Sequence, residues 1–182
     1  MTVNTTDFKG LLILEPKILG DFRGYFMETY NAKVFNELGI DYQFVQDNQS
    51  KSSKGVLRGL HYQNAPYAQT KLVRVLSGVI LDVVIDLRKN EPTFGKTLIV
   101  ELSSENKKQL LIPKGFGHGF AVLSETAEVL YKCDEFYNPS SEGGINFLDP
   151  VIGIGSKLPA LYFTLSEKDK KHPDFVNAEF DF

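Results

Sequence analysis

Between residues 55 and 133 this chain leaves no room for a helix. Seven runs (55–63, 70–76, 79–87, 96–102, 107–112, 116–123 and 126–133) repeat apolar residues mostly at every second position. Gly, Pro, Asn and Ser fall in the short gaps between them. A period of two places alternate side chains on opposite faces of a strand. Parallel strands need a crossover of a dozen or more residues, usually a helix, and these gaps are too short for one. Many short, closely spaced strands therefore predict an antiparallel sandwich or barrel. Runs 11–16 and 43–50 read as two more strands. Val79–Asp86 is β-branched enough for a central strand, and Ser77-Gly78 predicts a tight hairpin turn.

Only 31–39 carries a helical pattern: Asn31 can cap it, Val34, Phe35 and Leu38 share a face, and Gly39 stops it. A short helical turn is expected from Ser166, with Glu167 and Asp169 in its first turn. Repeats, low-complexity tracts and linkers are absent, so 1–182 reads as one domain. The irregular tail after Pro150 is expected to wrap the β core or a partner.

Twenty Lys and Arg against 23 Asp and Glu give a net charge of −3. That excludes a generally basic nucleic-acid binder, though not a local basic pocket. No apolar run approaches the length of a membrane span, and MTVNTTDFKG at the start lacks a signal-peptide core. One cysteine, Cys133, excludes an internal disulfide and a zinc finger. A cytoplasmic location is expected from these features. Fourteen Phe and eight Tyr with no Trp are a heavy aromatic load that the fold has to house.

Each of the three histidines has two readings. His61, in Leu57-Arg58-Gly59-Leu60-His61-Tyr62, shares a strand face with Gly59 if alternation holds, and is either a core histidine or a working one. His118 lies among Gly115, Gly117 and Gly119, where backbone and ligand can approach closely, or it steadies a turn. His172, in Lys168-Asp169-Lys170-Lys171-His172-Pro173, reads as solvated. A metal site is not expected: there is no His-x-His, position 63 is Gln, and three scattered histidines make no convergent ligand set. Asp82 and Asp86 interrupt an apolar run on one face, so at least one of them needs a partner, either Arg74 or Arg88, or a histidine to orient. Arg23-Gly24-Tyr25-Phe26, Gln46-Asp47-Asn48, Arg58 and Lys71 mix cations, amides and rings in a way that suits a nucleotide.

Taken in order, the stretches 21–28, 46–48, 55–61, the Lys71 strand, 92–95, 117–120, 131–139 and 165–169 resemble the dTDP-4-dehydrorhamnose 3,5-epimerase family. That resemblance implies a cupin-like antiparallel jelly-roll barrel with short peripheral helices. It also implies a homodimer acting, without metal or cofactor, on C3 and C5 of a dTDP-linked 4-keto-6-deoxy sugar. By the same resemblance His61 is the general base, supported by Asp169 or, as second choice, Asp82. Tyr131 is the proton donor on the opposite face. Lys71 is the natural group for the enolate oxygen. Arg23, Phe26, Glu28, Gln46, Asp47, Asn48, Arg58, Lys71, His118, Glu142 and Lys168 are expected to contact the substrate, and Tyr137 to stack on thymine. Three other readings stand beside it: a relative that inverts only C3 or uses another nucleotide-linked 4-keto sugar, a metal cupin oxygenase, and a non-catalytic sugar-binding cupin. The missing His-x-His opposes the oxygenase, and the joint presence of His61 and Tyr131 opposes the non-catalytic cupin.

Overall fold

The structure, a computed structural model, describes residues 1–158 and 163–182. Two antiparallel sheets face each other. One holds six strands in the order β1 (Thr2–Thr5), β2 (Leu12–Glu15), β10 (Gln109–Ile112), β7 (Lys71–Ser77), β12 (Thr126–Cys133) and β5 (Gln46–Ser53). The other runs β13 (Glu142–Gly144), β6 (Leu57–Gln63), β11 (Phe116–Val122), β8 (Val79–Asp86) and β9 (Thr97–Ser103). A separate hairpin pairs β3 (Ile18–Asp21) with β4 (Gly24–Met27). This is a jelly roll of two open sheets rather than a closed barrel.

All nine expected runs are strands. Unforeseen are β1, β3, β4 and β13, whose sequences TVNT, ILGD, GYFM and EGG are too short, polar or glycine-broken to show alternation. Ser77-Gly78 is a correction. It joins β7 to β8, which lie in different sheets, so it is a corner between sheets and not a hairpin. The turn chemistry is the same for both: Gly78 has φ +82°, and a Cβ there would sit 2.2 Å from the Thr126 carbonyl oxygen. Helix α1 spans Ala32–Glu37, with Asn31 Oδ1 accepting the Lys33 amide at 3.0 Å. The later turn is a 3-10 turn at Asp169–Lys171, beginning after Ser166, whose Oγ accepts the Asp169 amide at 3.0 Å.

Three apolar layers explain the aromatic load. Between the sheets, Val73, Val75, Leu110 and Val129 meet Ile80, Val84, Leu102 and Phe120. Outside the five-stranded sheet, Leu57, Val83 and Ile85 lie under Phe147, Ile152, Phe175, Phe180 and Phe182. The tail thus wraps the core as expected, although residues 159–162 of it lie outside the described residues. Outside the six-stranded sheet, Leu14, Leu72 and Leu111 pack under Phe35 of α1 with Tyr30, Tyr42 and Phe44. Each fully buried Leu or Phe contributes about 1.5–3 kcal/mol of hydrophobic stabilisation. Strand β8 is covered on both faces, which is why it reads as a nearly unbroken apolar run. Among the described residues no helix is long and apolar enough to cross a membrane.

Candidate active site

The site begins with a break in alternation. In the β6–β11 ladder Phe120 pairs with Arg58 and His118 with His61, so three steps on β6 match two on β11. One extra residue is a β-bulge. It falls at Gly59-Leu60 and reverses the phase of the strand. Leu57 stays on the outer face, as do Leu60 and Tyr62 after the bulge. Arg58 and His61 therefore both point between the sheets, which strict alternation forbids. This corrects the expectation that 57, 59 and 61 share a face. Two glycines permit it: a Cβ on Gly59 would lie 2.6 Å from the His118 carbonyl oxygen, and one on Gly119 would lie 2.3 Å from that of Arg58.

Across the gap, the inner face of the six-stranded sheet presents Gln46 and Asn48 from β5, Lys71 from β7, and Tyr131 from β12. The inner layer is thus apolar at one end and polar at the other. The polar end is a cleft in two connected lobes, ≈ 360 Å³ and ≈ 310 Å³, both lined by His61, Lys71 and Tyr131.

His61 Nε2 lies 2.6 Å from Asp169 Oδ1. The aspartate is 5% exposed and the histidine 33%, so the pair is fixed at its back and open at its front. Burial pushes the Asp169 carboxyl up, but the hydrogen bond and charge of His61, with help from Ser166 and His172, outweigh it and hold the carboxyl below the usual range. Asp82 does not orient His61. It is wholly buried and its Oδ2 lies 3.0 Å from His118 Nε2, because both side chains project inward from paired strands β8 and β11. Asp86 pairs with Arg88 at 2.7 Å and accepts from Thr93 Oγ1 at 2.6 Å. Arg74 serves neither aspartate, since Lys71, Val73 and Val75 take the inner positions of β7 and Arg74 lines a hollow with Leu72, Tyr30 and Lys132 on the outer face.

Lys71 sits deep in the cleft with no carboxylate within ion-pair distance among the described residues. Burial pulls its ammonium down from the ordinary lysine value, against opposing pulls from Cys133, Asp82 and Glu142. Burial likewise pushes the Tyr131 phenol up, with the Cys133 charge adding to it, so the hydroxyl keeps its proton at neutral pH. Cys133 is a buried free thiol, itself raised by burial. Arg58 Nε donates to Ser52 Oγ at 2.9 Å, bridging the sheets. At the rim, Tyr137 Oη donates to Glu142 Oε2 at 2.6 Å, and Lys168 Nζ donates to the same oxygen. Gln46 Nε2 donates to Asn48 Oδ1 at 3.0 Å, and Gln46 Oε1 accepts the Tyr137 amide at 3.1 Å.

Four expected contact residues are not brought to this cleft. Asp47 alternates with Gln46 and Asn48, so it faces the outer side, where Lys132 Nζ donates to it at 2.9 Å. Arg23, Phe26 and Glu28 belong to the β3–β4 hairpin segment, which leaves the sheets; all three are exposed, and Arg23 is held by Asp21 at 2.5 Å. His172 is a correction of the opposite kind. It is not solvated: its ring packs edge-on to that of His61 at 5.5 Å, and its Nε2 lies 3.5 Å from Asp169 Oδ1. His61, Asp169 and His172 form a convergent set after all, with one donor atom from each within 4.8 Å of the others. The signal in the sequence was the Asp-x-x-His spacing, since residues i and i+3 eclipse in a 3-10 turn.

A family model described as dTDP-4-dehydrorhamnose 3,5-epimerase matches residues 5–177. The chain belongs to the dTDP-4-dehydrorhamnose 3,5-epimerase family. A relative of that name from Shigella flexneri is 53% identical over 181 residues, 99% of each chain. The crystal structure of the epimerase from Elizabethkingia anophelis is 53% identical, with a TM-score of 0.91 over 97% of both chains. The dTDP-6-deoxy-D-glucose-3,5-epimerase of Legionella pneumophila, solved in complex with dTDP-4-keto-L-rhamnose, is 49% identical. It has a TM-score of 0.91 over 97% of this chain and 93% of its own.

Proposed function

We propose that residues 1–182 form one isomerase domain that inverts C3 and C5 of dTDP-4-dehydro-6-deoxy-D-glucose, giving dTDP-4-dehydro-L-rhamnose. One observation carries this reading: a carboxylate-backed histidine and a protonated tyrosine reach the same cleft from opposite sheets. Both C–H bonds flank the C4 ketone, so their deprotonation gives an enolate with its charge on O4. Asp169 occupies His61 Nε2, which leaves Nδ1 as the basic nitrogen if Nε2 carries the proton. Inversion needs a proton delivered to the other face, and Tyr131 is the donor there. Lys71 supplies a fixed positive charge whose burial is uncompensated until an oxyanion forms beside it.

Each proton transfer thus has its own group, and the reading calls for no metal or cofactor. Arg58, His118 and Lys168 suit the diphosphate, Gln46, Asn48 and Glu142 the polar edges of the ligand, and Tyr137 the base. The protruding hairpin leaves Phe22 at 98% and Phe26 at 68% exposure, and a second copy of the chain is the partner we assign to it, as a homodimer. We assign the enzyme to the cytoplasm, since its one cysteine, Cys133, offers no internal disulfide of the kind secreted domains use.

The test follows substrate in deuterated buffer by NMR. His61→Ala should lose both C–H exchange and epimerisation, by at least the ~10²–10⁴-fold that acid–base groups contribute. Tyr131→Phe should still exchange protons while inverted product falls much further. Equal loss of both in Tyr131→Phe, with exchange kept in His61→Ala, reverses the roles.

A further inference from the structure

We propose that His61 Nε2, Asp169 Oδ1 and His172 Nε2 together form a binding site for a zinc-type divalent transition-metal ion, and that its occupancy shuts the enzyme off. The donors are two imidazoles and one carboxylate, the set that favours such ions over magnesium or calcium. Their spacing is close to what an ion requires. Zinc–nitrogen and zinc–oxygen bonds of about 2.0–2.2 Å place tetrahedral ligand atoms roughly 3.3 Å apart. Asp169 Oδ1 lies 2.6 Å from His61 Nε2 and 3.5 Å from His172 Nε2, and the three residues can each offer a ligand atom within 4.8 Å of the others. Admitting the ion needs the first pair to open by under an ångström.

The ligands are held by ordered structure rather than by loop ends. His61 is on β6, Asp169 begins the 3-10 turn, and His172 closes that turn with its amide bonded to the Asp169 carbonyl at 3.3 Å. Gly144, the register partner of His61, leaves the space that the His172 ring fills: a Cβ there would lie 2.4 Å from the ring. Buried His172 Nε2 has no hydrogen-bond partner of normal length among the described residues, so an ion would satisfy it. Lys168, the adjacent cation, is engaged by Glu142.

The inhibitory consequence rests on His61 being the base, because metal at Nε2 displaces the hydrogen bond to Asp169 and turns the ring into a ligand. The binding itself does not rest on it. The probes are Zn²⁺ and Co²⁺ alone, added to metal-stripped protein. One equivalent of Co²⁺ should give the visible absorption of a low-coordinate nitrogen–oxygen site, and Zn²⁺ should displace it. Zn²⁺ should also shift the side-chain ¹⁵N resonances of His61 and His172 and inhibit epimerisation reversibly, with activity restored by EDTA. His172→Gln should weaken both effects by at least the roughly 10–100-fold that loss of an outer-shell partner costs a metal site. His172→Asn, with a melting curve for each variant, separates lost ligation from lost folding. Absence of the Co²⁺ spectrum, or Zn²⁺ inhibition unchanged in folded His172 variants, overturns the proposal. If Co²⁺ binds as expected but the metal-free enzyme shows no His61-dependent exchange, the base assignment fails and the metal site stands.

Discussion

Gly119→Ala tests whether the bulge builds the site. The new methyl would lie 2.3 Å from the Arg58 carbonyl oxygen, and 2.9 Å from both Leu60 Cδ2 and Phe147 Cε2. Ordinary carbon–oxygen contacts fall at about 3.3–3.6 Å, so β11 and β6 must separate by roughly 1 Å at this point. The neighbour is backbone and cannot rotate away, which places the cost at the upper end of overpacking, about 3 kcal/mol. For a chain of this size that is a melting-temperature fall of roughly 6–12 °C. Because Arg58 and His61 flank the contact, the same shift should misplace the base, and a 1 Å displacement costs on the order of 10²-fold in rate. Calorimetry and turnover of the dTDP-4-keto sugar measure the two effects. Gly155→Ala is the control, since nothing among the described residues lies within 4 Å of a Cβ there. A Gly119→Ala protein melting within about 2 °C of the parent, with its rate intact, would refute the argument that close strand approach sets the catalytic geometry.

Lys71→Met should leave stability unchanged or raised in thermal melts, because it removes a buried and unpaired ammonium, while the rate falls by about 10²–10³-fold; a stability loss of similar size to other core changes would sink that reasoning. Tyr137→Ala should weaken dTDP binding by about 1–3 kcal/mol in calorimetric titration, the range for aromatic stacking on bases, with exchange at C3 and C5 little changed in saturating substrate. Asp86→Asn should cost about 3 kcal/mol at neutral pH in denaturant melts, because Arg88 is left mostly buried and unpaired. Burial pushes the Asp86 carboxyl up, but Arg88 and Thr93 outweigh it and hold it below the ordinary range. The unfolded chain therefore binds the extra proton, so the stabilisation is complete above about pH 4 and fades as pH falls further through the folded value. A difference between parent and variant that grows on acidification would contradict that sign.

Much of this protein was legible along the chain. Alternation over seven close-set runs determined an antiparallel β fold, since backbone pleating ties side-chain direction to a period of two. The segments around His61, Lys71, Tyr131 and Asp169 carried the resemblance to the family, because residue types are local facts. Direction and partnership were not local. A single extra residue at Gly59-Leu60 turned Arg58 and His61 to one face, and no pattern within β6 announces it, because the bulge exists only against the register of β11. Asp82 and Asp169 were both available to His61, and only strand pairing gave Asp82 to His118. The same turn residues at Ser77-Gly78 serve a hairpin or a corner, and membership of different sheets made it a corner. His172 looked like one more polar residue in a charged run, until the 3-10 turn stacked it over Asp169 and the bare backbone of Gly144 let its ring settle beside His61.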